Sequence, residues 1–413
     1  MDYKETIAYI HAMPKFSRKL GNTMLRRLLE CLGNPQDELR FIHIAGTNGK
    51  GSVAAMLAKI LSCAGFKTGL FTSPYIERFN ERIRIGDQQI SDTELSEIVT
   101  GIRNVIEKEK TEVSEFALDT AVAFCYFAKE KCDLVVLETG LGGRLDATNV
   151  ISKNLVTVLT AIGLDHTQYL GDTIEKITAE KCGIFKPGCP VVSSPGQEVE
   201  VCRVIRQYAD EKNVPLFFAA MPEWEDEKVL YGGHIYQLGL EGTFQAENAA
   251  VVIEAVQQLR KQGFIISEEA LRRGLAETKH VARFERFGGN IILDGGHNPQ
   301  AAEKLCESLR QLKKPVYFCT AMMEDKDYIH CAEIFAEIAA GAITTQIDMP
   351  RCCHAQNLAF AFEKYGVRAI PVTDPEKAVL KALKMAEKNG IVCICGSLYL
   401  AGNLRPFLKK MFT

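Results

Sequence analysis

From Phe41 onward, short apolar runs alternate with stretches whose apolar residues recur at helical spacing. Runs at 41–45, 66–71, 134–138, 155–160, 190–193 and 214–219 predict strands, and several of the intervals between them predict amphipathic helices. The first such helix carries Val53, Met56, Leu57, Ile60 and Leu61 along one stripe. Alternation of this kind predicts a mainly parallel sheet covered by helices. Two apolar runs meeting at Gly232-Gly233 instead predict a β-hairpin over 229–238. Helices at 248–261 and 268–276 close this set, and a second alternation follows at 290–294, 316–319, 343–347, 367–371 and 391–395. The expected architecture is α/β in two domains meeting near 281–289, a larger one over 1–284 and a smaller, Rossmann-like one over 285–413.

The strand at 41–45 breaks into Gly46-Thr47-Asn48-Gly49-Lys50-Gly51-Ser52 just before the helix. Glycines there let backbone N–H groups approach an anion at the positive end of the helix. Lys50 would neutralise outer phosphates, and the Ser52 hydroxyl is placed to enter a magnesium shell. The N-terminal domain is therefore expected to be P-loop ATPase-like, although the generic pattern has a glycine where Ile44 stands and a hydroxyl where Gly51 stands. Glu138 ends an apolar strand and opens a loop containing Gly140, Gly142 and Gly143, so its carboxylate is expected at the C-terminal edge of the sheet, where open α/β folds bind ligands. Asp294 stands similarly at a strand end, before two glycines and a helix opened by His297-Asn298-Pro299. Taken singly, Glu138 is also explained as a carboxylate satisfying glycine-loop N–H groups and His166 as a hydrogen-bonded structural histidine. Lys181 equally fits a solvated helix face, and Arg283 a surface charge.

The string at 46–52 resembles the variant phosphate loop of the Mur-type ATP-dependent ligases, most closely that of the folylpolyglutamate synthase and dihydrofolate synthase family. Other segments fall in that family's order along nearly the whole chain: Ser73-Pro74 with Phe79-Asn80-Glu81-Arg82, then 138–149, 163–167, 180–186, 294–299, 325–327 and Gly396-Ser397. The resemblance implies that Gly46, Thr47, Asn48, Gly49, Lys50, Gly51 and Ser52 hold ATP. It also implies that Ser52, Ser73, Glu138 and His166 hold magnesium, with two ions expected, and that Lys181 is carbamylated to help hold the second. Asn248 then contacts the adenine, and Arg283, Asp294 and His297 contact the nucleotide. Lys50, Lys181 and His166 form the implied catalytic set. The implied reaction is amide ligation: ATP phosphorylates a pteroate or folate carboxylate and the amine of L-glutamate attacks the acyl phosphate, giving dihydrofolate, polyglutamylated folates or both. The other reading within the class is a Mur-type amino-acid ligase acting on a cell-wall precursor or related acid; Gly51-Ser52 and the 294–299 string favour the folate branch. Four positions depart from the family's pattern. Ala117 stands where a glutamate is usual, Tyr75 where Ser-Pro is followed by histidine, Phe244 for a common histidine, and Ala282 for the glycine before Arg283.

Composition narrows the partners. At 413 residues and 47% hydrophobic, the chain can bury sizeable cores. A net charge of −3 shows no basic excess, which argues against a nucleic-acid backbone as partner. No apolar run approaches the roughly 20 residues of a spanning helix, and the first residues lack a signal peptide's apolar core. No membrane partner and a cytoplasmic location are expected. The 14 cysteines, scattered among aliphatic residues, read as reduced thiols, and Cys352-Cys353-His354 lacks a second pair at zinc spacing. The partners expected are ATP, L-glutamate and a folate or dihydropteroate, bound by a monomer.

Overall fold

Apolar runs free of internal charge are stable only when both faces are covered, which places them at the centre of a sheet. They lie there in the computed structural model, which describes residues 1–15, 22–225 and 228–412. The chain divides into two compact units, Met1–Gly239 with Glu247–Thr278, and Leu240–Ala246 with Lys279–Thr413.

In the first unit an eight-stranded sheet runs in the order Gln88–Gln89, Ile83–Ile85, Thr68–Phe71, Leu134–Glu138, Phe41–Ala45, Val156–Leu159, Val191–Ser193, Leu216–Phe218. The six strands from Thr68–Phe71 onward are parallel, and the first two form an antiparallel edge. Phe41–Ala45 is buried at every residue. Its register sets Ile44 beside Glu138, and the Thr139 N–H donates to the Ile44 carbonyl. The glycine loop after Ala45 and the carboxylate of Glu138 therefore leave neighbouring strands at one edge.

The helix after that loop, Lys50–Cys63, buries residues 51–58, Ile60 and Leu61, a wider face than the predicted stripe. The sheet covers one side, and the helix Glu268–Glu277 covers another through Gly274, where a Cβ would lie 2.5 Å from Ile60 Cα. The predicted hairpin pairs Lys228–Tyr231 with His234–Gln237, and a third strand, Glu223–Glu225, joins it. Two flanking glutamates hid that strand from a hydrophobic reading. The helix expected from 248 begins at Phe244.

The second unit holds a six-stranded sheet in the order Glu285–Phe287, Ile291–Leu293, Ile391–Cys395, Val316–Thr320, Ala339–Thr344, Ala369–Pro371, parallel except for its first pair. Glu285–Phe287 falls in the stretch read as a junction. The strand expected at 343–347 runs instead from Ala339 to Thr344, where parallel pairing with Val316–Thr320 overrides the weak strand preference of alanine and glycine. Among the described residues no helix is long and apolar enough to cross a membrane.

The contact at Gly274 yields a prediction. A Gly→Ala change in a helix ordinarily gains up to about 1 kcal/mol, but here the added methyl meets backbone. Gly274→Ala is expected to destabilise the protein by about 1–3 kcal/mol, measured by chemical denaturation; a raised midpoint would contradict the packing described.

Candidate active site

The glycine loop is shaped by its own carbonyls and by the segment after Val156–Leu159. The N–H groups of Thr47 and Asn48 both donate to the Ala161 carbonyl, at 2.8 and 3.1 Å, and the Thr47 hydroxyl donates to the Gly163 carbonyl at 2.9 Å. Gly46 passes so close to Thr160 that a Cβ would lie 1.8 Å from its Oγ1. Gly49, at φ +89°, is the N-cap of Lys50–Cys63 and, as a glycine, brings no side chain of its own to that terminus. The helix's first-turn N–H groups point out of its N-terminus, so the end is built for an anion. A Cβ on Gly49 would also strike Asn248 Oδ1 at 2.4 Å, which places the asparagine predicted to meet the adenine directly against the loop.

Two cations converge on one carbonyl oxygen. Lys50 Nζ curls back to donate to the Gly46 and Thr47 carbonyls at 3.1 and 3.2 Å. Lys181 Nζ, 135 residues away in sequence, donates to the same Gly46 carbonyl at 2.8 Å. Lys181 is 3% exposed, contrary to a solvated helix face. Burial brings its pKa down to about 7, with the Lys50 ammonium adding to the fall and the Asp165 and Asp146 carboxylates opposing it. The shift brings the neutral amine within reach near neutral pH.

The helix carrying Lys181, Ile174–Cys182, is capped by Thr173, whose hydroxyl accepts the Lys176 N–H. It docks on the Glu138 loop through glycines. A Cβ on Gly143 would lie 2.6 Å from the Glu180 carbonyl, and one on Gly183 would lie 2.6 Å from Arg144 Cα. Arg144 closes the contact: its N–H donates to the Glu180 carbonyl and its guanidinium to the Glu180 carboxylate at 2.7 and 3.0 Å. Glu138 itself is buried, and its Oε2 accepts the Ser73 N–H at 3.0 Å. His166 sits at φ +50° at the start of Thr167–Leu170, its N–H donating to Asp165 Oδ1 at 2.7 Å. Asp165, which faces Lys181 electrostatically and positions His166, was visible in the sequence only as the histidine's neighbour.

Among the described residues no three His, Cys, Asp or Glu side chains converge as a metal-ligand set. Ser52, Ser73 and Glu138 carry oxygen donors of the kind a hard ion takes beside water and phosphate oxygens, as magnesium does with a nucleotide, whereas the His166 imidazole is a softer donor.

The departures Tyr75 and Ala117 lie around a second cluster. The Arg82 guanidinium carbon stands 5.2 Å from the Tyr75 ring and 5.6 Å from the Phe79 ring, with Asp119 Oδ2 3.7 Å from its Nε. Burial pushes the Asp119 pKa up to about 7 despite Arg82, and Glu115 adds to the rise. The aspartate lies two positions after Ala117 in the same helix, Glu115–Lys129.

In the second unit, Asp294 is buried with both oxygens engaged by backbone: Oδ2 accepts the Phe284 N–H at 2.9 Å and Oδ1 the Gly296 N–H at 2.7 Å. His297 Nδ1 lies 2.9 Å from the Gly295 carbonyl. Arg283 stands between Ala282 at φ +53° and Phe284 at φ +51°. Each left-handed non-glycine residue costs about 1–2 kcal/mol, and paired strain of this kind concentrates at functional positions.

Residues 44–256 match the Mur ligase middle domain and residues 282–398 the Mur ligase glutamate ligase domain. The chain is 37% identical to the dihydrofolate synthase/folylpolyglutamate synthase of Bacillus subtilis, across 98% of this chain and 99% of that one. It is similar to the solved structure of E. coli FolC in complex with DHPP and ADP, with TM-score 0.88 and 26% identity over 100% of this chain and 99% of that one. It is also similar to a bifunctional folylpolyglutamate synthase/dihydrofolate synthase solved with Mn, AMPPNP and L-glutamate bound, with TM-score 0.86 and 28% identity over 99% and 98% of the two chains.

The loop geometry predicts the effect of one methyl group. Gly49→Ala combines a left-handed backbone with a clash at Asn248 and is expected to weaken ATP binding roughly tenfold, since about 1–2 kcal/mol of backbone strain would favour a distorted loop. Titration with a fluorescent ATP analogue measures it, and unchanged affinity in a folded variant would rule out this loop as the nucleotide cradle.

Proposed function

The chain belongs to the folylpolyglutamate synthase and dihydrofolate synthase family of Mur-type ligases, and from that premise we propose how its own residues carry the activity. It is an ATP-dependent amide ligase that adds L-glutamate to a pteroate or folate carboxylate. The acid's carboxylate attacks the γ-phosphorus, ADP leaves, and the glutamate amine displaces inorganic phosphate from the acyl phosphate to form the amide. ATP and a divalent metal serve the reaction.

The convergence of Lys50 and Lys181 on the Gly46 carbonyl, at an N-terminus capped by a glycine, supports the assignment of roles most directly. Lys50 exchanges its loop carbonyls for phosphate oxygens and, with the first-turn N–H groups of its helix, stabilises charge on the transferred phosphoryl group. Ser52, Ser73, Glu138 and His166 would hold magnesium, as two ions together with substrate oxygens, and the metal would supply charge neutralisation and alignment. Asn248 contacts the adenine, and Arg283, Asp294 and His297 serve nucleotide binding. We further assign the protein to the cytoplasm as a monomer; its free cysteines accord with a reducing compartment.

Release of ADP, measured with dihydropteroate, a tetrahydrofolate or a cell-wall nucleotide, each with and without L-glutamate, tests the reading. Turnover is expected only with a folate-type acid plus glutamate; turnover with the cell-wall nucleotide alone among the acids would select the other ligase branch. Lys50→Ala is expected to lower kcat roughly 100- to 1,000-fold while circular dichroism and the melting temperature stay close to those of the parent.

Lys181 is proposed to react as a neutral amine with carbon dioxide, forming an N–C bond and releasing one proton to give a carbamate. Its pKa near 7 makes that amine available at neutral pH. Because protonation removes the nucleophile, carbamate occupancy is expected to rise as pH increases through about 7 and to vanish well below it. Carbon-13 NMR with labelled bicarbonate reads this directly. Lys181→Ala should lose both the signal and turnover, with turnover partly restored by short carboxylates; a fully active alanine variant would dismiss the carbamate.

A further inference from the structure

The segment that presents Arg283 is held in a conformation its residues do not favour. Ala282 and Phe284 are both left-handed, and both are buried. Glycine is usual before this arginine in the resembled family, and alanine there forfeits glycine's ease in that conformation. Something must therefore over-determine the loop.

Three hydrogen bonds do so. The Ala282 N–H donates to Glu285 Oε2 at 2.9 Å, and the Ala282 carbonyl accepts from the Gly295 N–H at 2.9 Å. The Phe284 N–H donates to Asp294 Oδ2 at 2.9 Å. Gly295 lies under the arginine: a Cβ there would be 3.0 Å from Arg283 Nη1. Of these anchors Glu285 is the one on a flexible side chain, and it is fixed in turn by Arg405 of the C-terminal helix Leu398–Phe412. Arg405 Nε donates to Glu285 Oε1 and Oε2 at 3.0 and 2.9 Å, and its Nη2 donates to Oε1 at 2.7 Å. The pair is mostly shielded, with side chains 14% and 21% exposed, so it is held more firmly than a solvated ion pair.

We propose that Glu285 and Arg405 are positioning residues that hold the Ala282–Phe284 backbone left-handed and thereby present the Arg283 guanidinium for nucleotide binding. The proposal rests on the nucleotide role assigned above to Arg283. Neither residue need touch substrate. Glu285 acts through the Ala282 N–H, and Arg405 acts through Glu285. Without the pair, the loop relaxes toward right-handed or extended backbone, the fraction of molecules with Arg283 in place falls, and apparent ATP affinity falls with that fraction.

Steady-state kinetics of the full-length enzyme test this. Arg405→Leu is expected to raise KM for ATP roughly tenfold and to leave kcat within about twofold, because saturating ATP reselects the competent loop. A merely structural loss would lower kcat and the melting temperature together without that split. Arg405→Lys should recover part of the effect. Ala282→Gly in the Arg405→Leu background should recover more, since glycine adopts the loop's backbone unaided. In an Arg283→Ala background, Arg405→Leu should add less than about a twofold change. Should Arg405→Leu not fold, Glu285→Gln carries the same comparison, keeping a carbonyl for Ala282 while weakening the hold of Arg405. An unchanged KM in a folded Arg405→Leu variant, or an equal increase with and without Arg283, overturns the positioning role while leaving that of Arg283 intact. Unchanged kinetics in Arg283→Ala would instead remove the nucleotide role of Arg283, and the presentation argument with it.

Discussion

The first unit's site depends on the carbonyl of Gly46, which accepts hydrogen bonds from both Lys50 and Lys181. Two ammonium groups at one oxygen repel each other, and burial sharpens the repulsion because little water screens it. Lys181 relieves it by lying near its neutral form at physiological pH. The relief is partial, with the Asp165 and Asp146 carboxylates favouring the charged amine. An anion at this end of the helix would lower the repulsion that remains, so the two lysines bias the loop toward anionic ligands. The surrounding structure serves to keep that bias in place. Ala161 fixes the loop, Gly143 and Gly183 let the Lys181 helix close on the Glu138 loop, and Arg144 with Glu180 locks the closure.

What the sequence disclosed and what it withheld divide along the range of the interactions. The phosphate loop and the central strands were legible because their causes are local: glycines at a strand end, unbroken apolar runs, Asn298 and Pro299 opening a helix. Glu223–Glu225 and Glu285–Phe287 were not, since each is a short edge strand made by pairing rather than by its own hydrophobicity. Lys181 was the hardest. A lysine at that helical position is more often solvated, and only the docking of glycines distant in sequence shows that it is buried. Ordered motifs resembling a known family singled it out, while its depressed pKa and its contact with Gly46 came from the fold.

The departures from the family's pattern fall where the physical constraints differ. The nucleotide loop tolerates none, because a methyl on Gly46 or Gly49 meets Thr160 or Asn248 at once. Around Arg82 the constraint is charge balance in a buried pocket rather than shape. Asp119, two positions after Ala117 and so turned to another face of that helix, stands beside the Arg82 guanidinium. Tyr75 adds a ring beneath the guanidinium.

Ala282 shows a third kind of solution. Where the first unit meets a demanding backbone with glycine, the second meets one with alanine and phenylalanine and holds it by polar anchors. The two strategies differ in what they do to the unfolded chain. Glycine adopts the left-handed conformation freely but enlarges the unfolded ensemble, whereas alanine restricts that ensemble and stores the difference as native strain. Strain held by Glu285, Asp294 and Gly295 is released if any anchor moves, so the Arg283 segment is coupled to its supports in a way that a glycine turn is not. Glu285, and through it Arg405 on the helix Leu398–Phe412, thereby bears on the backbone that flanks Arg283.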